Sequence, residues 1–180
     1  MKKSIIIMAA CALITGPAAA QSIGEKTGIN EVLGITPSTK DFVKEVATSD
    51  MFEMDSSALA EANATDEATK SFAKQMVTDH EKTTKELTEA VGTNPSTPIP
   101  SELDSSHKSK LEKLKSLTGA NFTKTYLDDQ VSAHKDAVNL FERYAKGGDN
   151  ATLKSWAEKT LPTLKHHLEM AQSLDNKARS

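Results

Sequence analysis

Three of the chain's five histidines fall where imidazoles could do chemistry together. His80, His134 and His167 each lie on the apolar stripe of a different expected helix, near its middle, and Glu53 lies near the middle of a fourth. In a bundle of equal rods the midpoints share a layer whichever way each rod runs. An offset of one or two residues moves a side chain only roughly 1.5–3 Å along the axis. Polar groups left unpaired in a core cost on the order of several kcal/mol. The four therefore either bond one another or are collected by a metal. Three imidazoles and one carboxylate make a four-ligand set suited to zinc, copper or ferrous iron, and its affinity would fall in acid as the imidazoles take up protons.

A di-iron centre is a poorer match. That site wants a glutamate one turn before a histidine on each of two helices, plus two further glutamates. The residues three before His80, His134 and His167 are Val77, Val131 and Leu164. Asp50, one turn from Glu53, adds one acid and no more. Asp79 points off the stripe beside His80 and is expected to pair with a neighbour or support a ligand. His166, about 100° around its helix from His167, is expected in solvent, and His107 at a packing edge. The lysines from Lys108 to Lys115, interleaved with leucines and Glu112, read as a solvated face, and Trp156 and the methionines as core. No nucleophile elbow, phosphate loop or carboxylate pair set for hydrolysis is present. The same residues leave a second reading open: a non-catalytic envelope or stress-related bundle whose buried histidines form a hydrogen-bonded layer.

The elements that must position these groups are helices. Phe42, Val46, Glu53, Ser57 and Ala60, widened by Val43, Ala47, Met54 and Ala58, set a helix over Thr39–Asn63 with Ser38 as its cap. Phe72, Met76, His80, Thr84 and Leu87 set the second over Glu67–Val91, capped by Thr65 or Asp66 and ended by Gly92. Three prolines in the following stretch, Pro95, Pro98 and Pro100, exclude a helix there. A short helix follows from Ser101 to Leu117, ended by Gly119. Two long helices then span Asn121–Lys146 and Thr152–Lys177, with Pro162 expected to kink the last. Tight links make two hairpins, and the long link between them lets the middle helices run parallel. The expected fold class is all-α: a ferritin-like four-helix bundle over residues 39–177, with a long crossover carrying a short extra helix.

Several segments carry a resemblance. They are Phe72-Ala73-Lys74-Gln75-Met76-Val77-Thr78-Asp79-His80, Phe122 with Tyr126 and His134, and Thr160-Leu161-Pro162-Thr163-Leu164-Lys165-His166-His167-Leu168. With Phe42-Val43 and Glu53, they resemble the bacterial family called domain of unknown function 4142, from about Lys40 to Leu174. The resemblance implies an exported, ferritin-like protein of uncharacterised role. One departure is Phe122-Thr123, where the family tends to carry Phe-Asp. Members are often labelled outer membrane proteins, but no alternating barrel strands support that label here.

The N-terminus explains export. Lys2 and Lys3, an apolar run from Ile5 to Ile14 and Ala18-Ala19-Ala20 read as a signal peptide cleaved after Ala20, which sends the chain to the periplasm. Met8 stands three before Cys11, which disfavours lipid anchoring at that cysteine. Residues 21–38 read as a flexible lead-in. Removal of Lys2 and Lys3 with the leader takes the net charge from −3 to −5. Such a chain has no electrostatic footprint for nucleic acid. No later segment is apolar for long enough to span a membrane. Protein partners and oligomeric state are not specified by the residues.

Overall fold

The computed structural model of the chain describes residues 33–180. The signal peptide, its cleavage site, Cys11 and most of the 21–38 lead-in lie outside the described residues. Five helices and no strand are found among the described residues: α1 (Thr39–Asn63), α2 (Glu67–Val91), α3 (Ser105–Lys115), α4 (Gly119–Gly147) and α5 (Ala151–Ala178). The fold is all-α.

Local chemistry sets the helix starts. Ser38 Oγ accepts the Asp41 amide at 3.1 Å and donates back to the Asp41 carboxylate at 2.7 Å, so cap and third residue brace each other. Asp66 accepts both the amide and the hydroxyl of Thr69, each at 2.8 Å. Asp104 caps α3 through the His107 amide and Asn150 caps α5 through the Leu153 amide. Gly92 ends α2 at φ 60°, where a side chain would be strained. Gly119 does not end α3 as expected. That helix stops at Lys115, and Gly119, at φ 58°, opens α4. The α3 start is also later than expected, because Asp104 and not a residue beside Pro100 supplies the cap. Pro162 lies on the exposed side of α5, and the helix runs unbroken through it.

α1 packs on α2 and α4, and α5 packs on α2 and α4, so the four long helices form a bundle. Neighbours are antiparallel. Thr39 at the start of α1 bonds Tyr144 at the end of α4, while Thr65 beyond the end of α1 donates its amide to Thr123 at the start of α4. Trp156 early in α5 donates to Glu86 late in α2 at 3.0 Å. α2 and α4 therefore run parallel, and the connection between them carries the chain back along the bundle, as its length suggested. Thr123 is buried and serves this corner by accepting the Thr65 amide at 3.1 Å.

The core is divided. One apolar cluster gathers Phe42, Val46, Leu87, Phe141, Tyr144 and Trp156 toward one end. The other gathers Phe72, Met76, Phe122, Tyr126, Leu127 and Ala171 toward the opposite end. Between them lies a buried polar layer: Asp50, Glu53, Ser56 and Ser57 from α1, His80 from α2, Gln130 and His134 from α4, and His167 from α5. α1 is buried on a second face too. Phe52, absent from the expected stripe, is 0% exposed, with the His107 ring 5.2 Å away and the Lys110 ammonium 5.8 Å above its ring. α3 forms that cover. Ala58, expected to widen the stripe, is exposed.

Candidate metal centre

Each histidine reaches the layer from its own helix. The stripe of α2 continues from Phe72 and Met76 through His80 to Leu87, that of α4 from Tyr126 and Gln130 through His134 to Phe141, and that of α5 from Leu164 through His167 to Ala171. The three imidazoles are buried, and one ring nitrogen from each lies within 4.8 Å of the other two. Ring centroids are 5.3–5.7 Å apart in all three pairs. Three of the four residues expected to converge are thus brought together.

The hydrogen bonds fix which nitrogens are available. His134 Nδ1 donates to its own helix at the Gln130 carbonyl, 3.0 Å away. A carbonyl only accepts, so His134 Nε2 carries the lone pair in the neutral ring. His80 Nδ1 donates to Asp50 at 2.8 Å, and Asp50 also accepts from Thr84 at 3.1 Å. His167 Nε2 donates to Asp79 at 2.9 Å. The nitrogens left over are His80 Nε2, His134 Nε2 and His167 Nδ1, all buried and without a hydrogen-bond partner among the described residues. An outward nitrogen held by a carboxylate or carbonyl and an inward one left free is how metal-binding histidines are normally supported.

Glu53 is 1% exposed and stands outside this three-nitrogen group. Its Oε1 is 3.8 Å from His134 Nδ1, and its Oε2 has no partner. Asp50, which the sequence offers only as an extra acid beside Glu53, is the partner of His80. The available signal was Thr84, one turn beyond His80 on the same stripe, which turns out to bond the same carboxylate. Asp79 fills its expected supporting role, across the helix pair to His167. His166 is exposed, and His107, bonded to Asp104 at 3.0 Å, sits at the α3 edge, both as expected.

Burial governs the charges. It pushes the Asp50 and Glu53 carboxyls above their ordinary values, against the hydrogen bonds and positive charge facing them. Burial also lowers His134 to about 3, helped by the charge of His80. It lowers His167 to about 4, with the charges of His134 and His80 adding. His80 goes the other way. Burial pulls it down, but the hydrogen bond and charge of Asp50, with Glu53 and Asp79, leave it above its ordinary value.

With His80 in its neutral form three lone pairs converge, which suits a cation. A single water offers two protons and cannot satisfy three acceptors, whereas one ion meets all of them. Nitrogens bound to one zinc at about 2.0–2.1 Å lie roughly 3.4 Å apart, so the rings would close by on the order of 1 Å.

A divided helical bundle with a buried three-histidine cluster is the class that fold and site define. A family model described as a domain of unknown function (DUF4142) matches residues 25–174, and the chain belongs to that family. No curated protein and no solved structure matches the chain.

Proposed function

We propose that this protein is an exported, periplasmic bundle of ferritin-like architecture that binds one transition-metal ion (zinc, copper or iron) through His80, His134, His167 and Glu53. The observation that carries the reading is the set of three partnerless imidazole nitrogens drawn together in a buried layer. The hydrogen-bonded-layer alternative accounts for one nitrogen of each ring and leaves the other without a partner. Each ring bond goes outward, to Asp50, Gln130 or Asp79. Glu53 is the fourth ligand in this proposal, through its partnerless Oε2. The site is mononuclear because Asp50 and Asp79 are already engaged by imidazoles. The crossover connection between α2 and α4 supports the ferritin-like reading, while the ligand set departs from di-iron chemistry.

The test is metal content. Protein purified without a metal-affinity tag, exposed to zinc, copper or ferrous iron and desalted, is expected to retain close to one ion per chain by mass spectrometry. His134→Ala should abolish retention while leaving a folded helical protein. No retained metal, together with no rise in melting temperature on metal addition, would reject the proposal.

A further inference from the structure

The three histidines are only 3%, 0% and 1% exposed, so an ion bound among them needs a way in. Along the bundle axis, the two apolar clusters fill the core on either side. Sideways, the packing is open. A cleft of about 300 Å³ between α1 and α4 runs inward to Asp50 and His80. Ser49 on α1 and Ala133 and Ala137 on α4 line it, where larger side chains would close it. Six water molecules at about 30 Å³ each fill roughly 180 Å³, so an ion with its first hydration shell fits.

We infer that this cleft is the route by which a hydrated divalent cation enters and leaves the three-histidine cluster, passing Glu45 on its wall and Asp50 at its inner end before reaching His80. The inference rests on the metal reading above and adds the path. The cleft also borders two cations, each with partners of its own. Lys110 is 3.8 Å from Asp129 and lies over Phe52, and Arg143 donates to Asn139 and to the Ile35 carbonyl. Asp50 holds His80 Nδ1, so the last carboxylate on the path is also the group that orients the first imidazole.

A reversible plug tests the route. Cys11 is the chain's one cysteine, so Ser49→Cys in a Cys11→Ser full-length background gives a single thiol on the cleft wall. Stopped-flow uptake of cobalt(II), and its release to a chelator, would be followed before and after capping that thiol with a benzyl thiosulfonate. Both rates are expected to fall at least about tenfold with the equilibrium affinity within about twofold, and to recover when reductant removes the cap. Ala137→Phe, a permanent plug from the opposite wall, should slow exchange in the same way. Rates that neither plug changes, or a loss of affinity without slower exchange, would overturn the route alone. No cobalt uptake by the unplugged protein would overturn the metal reading, and the route with it.

Discussion

Each of the three imidazoles is held at one nitrogen and free at the other, and the holding groups differ. His134 is pinned by its own helix backbone, His80 by a carboxylate from α1, and His167 by a half-exposed carboxylate from α2. Asp79 is therefore the support most open to substitution. Asp79→Ala is expected to weaken metal affinity by about 10–100-fold, with little change in the melting temperature of the metal-free protein. Competition with a coloured chelator measures the first and a thermal scan the second; a large loss of stability with unchanged affinity would contradict the assigned role. The charge states give another check. A lowered imidazole stays neutral as pH falls past the ordinary histidine value near 6.5, so in metal-free protein His134 and His167 should take protons only near 3 and 4. Nuclear magnetic resonance of the ring carbons would follow this, and titration of either ring near 6.5 would contradict the buried geometry. The histidines were legible in the sequence because apolar neighbours at helical spacing set their depth. The tautomers of His80 and His167 were not, since they depend on partners from other helices: Asp50 lies 30 residues from His80, and Asp79 lies 88 from His167.

Among the elements, α1 departs most from a simple amphipathic rod. It turns Asp50, Glu53 and Ser57 toward the bundle and Phe52 toward α3, so it is covered on two sides. A stripe drawn for one buried face found Glu53 and Ser57 and missed Asp50 and Phe52. The phenylalanine belongs to a packing that exists only once the crossover folds α3 back over α1. Phe52→Ala is expected to cost about 3–5 kcal/mol, as for large aromatic truncations in a core; urea denaturation measures it, and a cost near zero would mean that α3 does not dock there. The starts of α1 and α2 were legible because caps act within four residues; that of α3 was not, since Asp104 and not a residue beside Pro100 caps it. The early end of α3 and the place of Gly119 were not, because Gly119 serves the following helix.

At the scale of the molecule, a polar layer separates two apolar clusters, and five of that layer's buried atoms have no partner among the described residues. At about 1–3 kcal/mol for each unsatisfied group, that burden rivals the roughly 5–15 kcal/mol by which whole domains are stable. An ion that binds the folded chain alone should relieve part of it. Metal at one hundred times its dissociation constant should add about 2.7 kcal/mol, or roughly 5–10 °C in melting temperature for a chain of this length. A chelator should reverse the gain, and a melting curve indifferent to both would contradict ligand-linked stability. The central claim is most directly tested by anomalous scattering from crystals of the metal-loaded protein. It predicts one peak about 2.0–2.2 Å from His80 Nε2, His134 Nε2, His167 Nδ1 and Glu53 Oε2. A peak on other atoms, or no peak in the layer, would contradict it.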